Sequence, residues 1–412
     1  MTVPFLSDAD VVRIRRRSHA VIIAGQALAG VGMGATFSAA ALLAERLSGS
    51  AAWSGTATTM STLGAAAAAV PLAALARRSG RSPALATGAG LAAIGAVTGL
   101  VAVAVGLFPL FLAAMALLGV GTAVNLQSRF AATDLSEPGS RGRDLAIVVW
   151  STTLGAVLGP NLITPGDALG LSLGLPELGG VFLFTLAAQL VAVALYRFAL
   201  RPDPLKTAER LGVERGPAEV EARPADRGGV RTGILSLALS HATMASVMAM
   251  TPVHLVDHGA TLQIVGLTIS LHVAGMYGLS PLWGVLSDRF GREPVIAIGQ
   301  GMLLAALLMT SFGAESSGWV LAGLILLGLG WSAATVAASG LVTDSADPAR
   351  RTVVQGRADL SMSLAGAVGA GSAGLILAWL GYAGLSLVAT ALVAVVLGAL
   401  ALRTARRAPR AA

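Results

Sequence analysis

The chain of 412 residues contains no cysteine. Disulfides, thiolate metal sites and cysteine nucleophiles are therefore excluded. Charge is also scarce. Asp, Glu, Lys and Arg make up 12% of the residues, about half the ~25% typical of soluble domains. Aromatic side chains reach only 5%, with 6 Trp and 3 Tyr, so a site built on aromatic stacking has few residues to draw on. The sequence shows no nucleotide-binding loop, metal-hydrolase motif or nucleophile triad, which argues against ATP coupling and against an enzyme. The residue-by-residue alternation of a membrane barrel is missing as well.

What remains is apolar. The chain is 55% hydrophobic, and its mean hydropathy is +0.77. The charges sit between runs of about 20 apolar residues, each long enough to cross ~30 Å of hydrocarbon. Twelve runs are read, at 19–44, 52–76, 83–105, 108–128, 145–165, 179–200, 232–256, 264–287, 294–313, 318–342, 355–378 and 382–402. Each is expected to be helical, because lipid cannot satisfy exposed backbone groups.

Basic residues set the expected orientation. With the N-terminus in the cytoplasm, Arg13, Arg15, Arg16, Arg17, Arg77, Arg78, Arg81, Arg141, Arg143 and the tail Arg403 to Arg410 all fall inside. Of 28 Lys and Arg, only Arg46 falls in an outer loop. Both termini are thus expected at the cytoplasmic face of a bacterial-type inner membrane. The formal charge of +7 and pI near 11.0 report topology and imply no nucleic-acid partner. The first run, about 25 residues long, follows Asp8 and Asp10. It is expected to be an uncleaved helix, since a signal-peptide h-region spans about 7–15 residues.

Residues 201–231 are hydrophilic and rich in Pro, Gly and mixed charge, as suits a cytoplasmic linker with a short amphipathic helix. They divide the chain into an N-terminal bundle (1–200) and a C-terminal bundle (232–412), each of six helices. The halves echo one another. GVGTAVNLQSRFAATD (119–134) parallels GLGWSAATVAASGLVTD (328–344), and RGRDLAIVVWSTTLGAVLG (141–159) parallels QGRADLSMSLAGAVGAG (355–371). The turn GVLSDRFGREPVIAIG (284–299) between runs eight and nine has a degraded copy, ALARRSGRSPALATG (74–88), between runs two and three.

On these motifs the chain resembles the major facilitator superfamily. The resemblance implies an all-α membrane protein with twelve transmembrane helices in two pseudo-symmetric six-helix bundles. It also implies a secondary transporter working by alternating access about a midplane site. The superfamily's turn has the form G-x-x-x-D-R-x-G-R, matched by Gly284, Asp288, Arg289, Gly291 and Arg292. The first copy keeps Gly80 and Arg81 but carries Ala73 and Arg77 in place of Gly and Asp. A gating role then falls on Asp288 and Arg289, since an Asp at a helix end can pair with an Arg from a neighbouring turn in one state and release it in another. Anchoring the loop at lipid headgroups is the alternative. Gly155, Gly159 and Pro160 in the fifth run resemble the glycine-proline motif of the superfamily's antiporters, and they equally suit close helix packing.

Intramembrane polar groups are costly and mark candidate sites. His241, His254, His258 and His272 fall in or between runs seven and eight, with Met244, Met248, Met250 and Met276. His241, Met244 and Met248 share one helical face, and so do His272 and Met276. At ~1.5 Å of rise per residue, Met248 and His272 come to similar depths, and so do Met244 and Met276. Thioether and imidazole ligands suit Cu(I). Gap-filling Met and a carbonyl-bonded His272 are the plain alternative. M-x-x-x-M followed by H-x-x-x-M resembles the CcoA-like copper importers of the superfamily. That resemblance implies copper as the transported ion, with Met244, Met248, His272 and Met276 as ligands and no permanently bound cofactor.

His254, Asp257 and His258 stand at i, i+3 and i+4 and form a candidate outer entry site, or a solvated loop edge. Asp359 is a candidate proton carrier, or the structural partner of Arg357. Gln26, Asn125, Gln127, Arg129, Asn161 and Gln189 are candidates to line the N-terminal half of the cavity. The other cargo classes left open are drug-like hydrophobic compounds exported with protons and a small metabolite such as riboflavin. A non-transporting sensor or scaffold lacks the extra soluble domain it would need. The expected partners are the lipid bilayer and the transported ion or molecule, with the protein acting as a monomer.

Overall fold

The computed structural model describes residues 7–50, 53, 55–137, 139–214 and 226–407, and among them there is no β-strand. Up to the hydrophilic segment the helices are α1 (Asp8–Ser48), α2 (Thr56–Ser79), α3 (Arg81–Val105), α4 (Phe108–Ala131), α5 (Arg141–Leu158), α6 (Ile163–Ser172), α7 (Val181–Ala194) and α8 (Pro204–Glu214). After it come α9 (Arg227–Asp257), α10 (Leu262–Gly278), α11 (Ser280–Phe290), α12 (Arg292–Phe312), α13 (Ser317–Ser345) and α14 (Arg351–Arg407). Within the expected linker, α8 is the short helix, and residues 215–225 lie outside the described set.

Ten segments have the length and composition to cross a membrane. The last, Pro348–Ala405, has 58 residues, far more than the ~20 that one crossing needs. Gly381 interrupts it with φ 68° and ψ −178°, so it serves as two spans. The fifth run is not one continuous helix. α5 ends at Leu158 and a 3₁₀ turn runs over Pro160–Leu162 before α6 begins. Pro160 has no N–H to continue the helical ladder, which explains the break. Counting the divided segment twice and adding the interrupted one recovers the twelve runs.

The chain forms two compact units. One extends to Ala225 and also takes in Asp347–Leu360; the other holds Asp226–Ala346 and Ser361–Ala412. In the first, α1 packs on α5 and α7, and α4 packs on α2 and α3. Its core has one layer around Ile22, Leu72, Leu85, Val124 and Tyr196. A second layer centres on Leu43, Phe111, Met115, Leu118 and Phe182. In the second unit, α9, α10 and α12 all pack along α13. The small residues of Ser332–Gly340 are buried without interruption, so α13 presents a slim surface on every side. Large apolar side chains such as Phe312 and Trp379, each 82% exposed, project outward, as expected of faces meeting lipid.

α1 and α5 approach closely where Gly30 and Gly34 meet Gly155 and Gly159. A Cβ at Gly159 would lie 2.6 Å from Gly34 Cα, and one at Gly155 would run into the backbone of Gly30. Small residues four apart on both helices let the backbones touch. Gly155→Leu is expected to destabilise the purified protein by about 1–3 kcal/mol through overpacking, seen as a lower melting temperature. Gly371→Ala, where a Cβ meets nothing within 4 Å, is expected to leave it unchanged. Equal melting curves for the two variants would refute the close α1–α5 contact.

Candidate functional site

Two glycines with nearly the same backbone shape the charged turns. Gly80 has φ 100° and ψ 172°, and Gly291 has φ 94° and ψ 163°. Side chains rarely adopt this positive φ, so the two glycines start α3 and α12 in the same way. Each is followed by an arginine at the first helical position. Arg81, 1% exposed, donates through Nε and Nη2 to Asp134 at 2.8 and 3.1 Å, and through Nη2 to Gln355 Oε1 at 2.8 Å. Arg292 donates through Nε to Asp344 at 2.9 Å and through Nη1 to Asp288 at 2.7 Å. Asp134 and Asp344 end the two parallel segments read from the sequence, so the repeat reappears as one Arg–Asp pair in each unit. Burial outweighs the neighbouring Arg81 and holds the Asp134 carboxyl above its ordinary range.

Asp288 accepts from an arginine across the turn, Arg292 at the start of α12. Asp288 lies near the end of α11 and Arg292 opens α12, with the positive-φ Gly291 between them. Arg289 is exposed, with its guanidinium 5.5 Å from the Phe290 ring. Gly284 is buried in α11. In the degraded copy, where Arg77 replaces the acid, a carboxylate arrives from elsewhere. Asp203 accepts from Ser82 N at 2.7 Å and also caps α8, accepting from Leu205 N and Lys206 N at 3.0 and 3.1 Å. Its carboxylate lies where a Cβ on Gly80 would stand. Sequence reasoning missed Asp203; the one signal was an acid just before Pro204 at a helix start.

Within the first unit, Arg129 of α4 donates through Nη2 to Asp359 Oδ1 at 2.7 Å, with the two side chains 3% and 0% exposed. Asp359 Oδ2 has no hydrogen-bond partner among the described residues. The expected pairing of Asp359 with Arg357 does not form. Arg357 is exposed, because residues two apart on a helix point to opposite sides. Gln127 donates to Ala69 O at 3.0 Å and Gln26 to Asn125 O at 3.3 Å. Gln189 is buried and Asn161 exposed.

The histidines of the second unit differ in what their ring nitrogens can do. Trp331 Nε1 is only a donor and lies 3.0 Å from His241 Nδ1. Nδ1 must therefore be the unprotonated nitrogen of His241, and Nε2 carries the hydrogen. Nε2 lies 2.8 Å from where a Cβ on Gly366 would stand. In this arrangement the Nδ1 lone pair of His241 is taken up by the indole of Trp331. His272, 0% exposed, has Nδ1 2.7 Å from Leu324 O. A carbonyl only accepts, so Nδ1 carries the hydrogen, and Nε2 holds a lone pair with no partner among the described residues.

Met244 and Met276 are buried, and Met248 is half-buried. α9 and α10 meet each other only sparsely, and both pack on α13. The outer cluster also differs from expectation. His254 Nε2 donates to Ala314 O at 2.8 Å, and its ring stacks on Tyr382 with centroids 4.2 Å apart. His258 Nδ1 donates to His254 O at 2.8 Å, and Asp257 is exposed. No group of three or more His, Asp or Glu able to hold a metal exists among the described residues. His254, Asp257 and His258 are thus not gathered into such a group.

The model of the Major Facilitator Superfamily matches residues 22–229 and 232–412. The chain is 35% identical over 383 residues to the uncharacterised MFS-type transporter YddS of Bacillus subtilis, covering 91% of this chain and 88% of that one. It is 29% identical to the riboflavin transporter RfnT of Brucella anthropi, covering 87% of each. The crystal structure of the human organic anion transporter MFSD10 superposes with a TM-score of 0.75 at 18% identity, covering 94% of this chain and 99% of that one. Together with its helical fold and paired glycine–arginine turns, these likenesses identify the chain as a multi-pass membrane transporter belonging to the Major Facilitator Superfamily.

Proposed function

We propose that the protein is a proton-coupled secondary transporter of a small organic solute, acting as a monomer in the cytoplasmic membrane with both termini inside. The buried Arg129–Asp359 pair carries this reading. Breaking a buried ion pair by separation alone leaves an uncompensated charge, at a cost of about 3–5 kcal/mol. A proton taken up at Asp359 Oδ2 neutralises the carboxylate and loosens its hold on Arg129. The pair can then open without an exposed carboxylate in the apolar interior. The likeness to RfnT over most of both chains supports an organic solute as cargo. Alternating access by two six-helix halves, joined through the linker, would carry it across.

The test is flux in proteoliposomes under an imposed pH gradient, with riboflavin and the dye ethidium as probes. The wild type is expected to move one probe faster with the gradient. Asp359→Asn should fall to the level of protein-free liposomes in gradient-driven flux while keeping exchange at equal pH. Full gradient-driven flux in Asp359→Asn would overturn the proton-carrier role.

A second reading, copper import, is favoured by one observation. His272 donates from Nδ1 to a backbone carbonyl and keeps Nε2 open, the state that metal-bound imidazoles show. Met276 lies one turn along the same face, and Met244 and Met248 follow the motif in α9. On this reading, Cu(I) titrated into purified protein should bind with near-unit stoichiometry and be lost in His272→Ala and Met276→Leu. Binding that survives both substitutions, or its absence in the wild type, returns these side chains to helix packing.

A further inference from the structure

A cavity of about 820 Å³ opens in the second unit between the start of α9 and both ends of the α14 contribution to that unit. Ile234, Leu235, Ala238, Ala399 and Leu402 line it with aliphatic surface. Leu402 is 62% exposed, so the cavity opens to the protein's outer face. Its polar end is where the helix termini carry charge.

The charges there divide into two kinds. Arg403 is fully engaged. It donates through Nη1 and Nη2 to both carboxylate oxygens of Asp226 and through Nε to Glu293 at 2.7 Å. Asp226 also caps α9, accepting from Gly229 N at 2.9 Å. Arg403 is therefore held between two carboxylates. Arg231, which lines the cavity, and Arg227, one turn before it on α9, are both exposed. Neither makes a hydrogen bond or ion pair with any described residue. Side chains four apart on a helix stand about 5–6 Å apart at Cβ, a spacing over which two guanidiniums can grip one phosphate.

We propose that this cavity binds an anionic phospholipid, with its phosphate between Arg227 and Arg231 and the upper part of an acyl chain along Leu235 and Leu402. The aliphatic walls select a lipid over a soluble anion, which would leave them facing water. Two cations without a partner among the described residues select a negatively charged headgroup over a zwitterionic one. Basic pockets at the ends of membrane helices suit such headgroups, and each Arg near a charged leaflet adds about 1 kcal/mol. The bound lipid would fix the end of α14 to the start of α9 from outside, alongside the Arg403 group that fixes it from within.

Native mass spectrometry of the full-length protein in neutral detergent tests this, with added phosphatidylglycerol, phosphatidylcholine or inorganic phosphate. Phosphatidylglycerol should remain bound in preference to phosphatidylcholine. The double variant Arg227→Ala/Arg231→Ala should weaken that binding by about tenfold or more. Leu235→Trp, which fills the cavity and leaves both arginines, should weaken it too. A thermal melt of each variant separates lost binding from lost folding, and both should keep the wild-type transition without lipid. Equal retention of phosphatidylcholine, or undiminished binding in the double variant, would overturn the proposal. Phosphate displacing the lipid at equal concentration would instead mark a soluble-anion site.

Discussion

A guanidinium inside an apolar helical protein has to meet a carboxylate, and much of the structure follows from that requirement. Arg81 ends on Asp134, Arg129 on Asp359, Arg292 on Asp288 and Asp344, and Arg403 on Asp226 and Glu293. Away from water these charges are expensive alone and tolerable together. The pairs thus fix which helix ends lie side by side. A glycine with positive φ precedes both Arg81 and Arg292, so the backbone bend and the charge pair form one device used in each unit.

The device outlasts its sequence. The first turn has lost the aspartate that its counterpart keeps at Asp288, yet a carboxylate still stands beside the glycine and the helix start. Asp203 supplies it, and the same side chain caps α8. The acidic partner matters to the turn for where it is placed, not for its position along the chain. A segment that reads as linker therefore contributes a structural charge to the turn before α3.

The histidines show how far residue type alone underdetermines chemistry. His241 accepts from an indole, and His272 donates to a carbonyl and keeps a lone pair buried. His254 donates to a carbonyl beneath a tyrosine ring, and His258 donates to the backbone one turn earlier. Three of these four imidazoles thus meet a backbone carbonyl and one an indole, and they differ further in burial and in what surrounds the second nitrogen. Among them, only His272 combines full burial with an open nitrogen in the described structure.

The sequence by itself determined the all-helical membrane fold, the number of apolar spans and the internal repeat. These depend on local properties: a run of ~20 apolar residues must be a helix in lipid, and a Gly–Arg turn carries its shape in two residues. Tertiary structure decided which side chains meet. Arg129 finds Asp359 230 positions away, and His241 finds Trp331 90 positions away. α9 and α10 both pack on α13 and meet each other only sparsely. A helix's sequence fixes which residues share a face. What lies opposite that face depends on how many helices compete for the same neighbour, and α13, narrowed by its small residues, holds three of them.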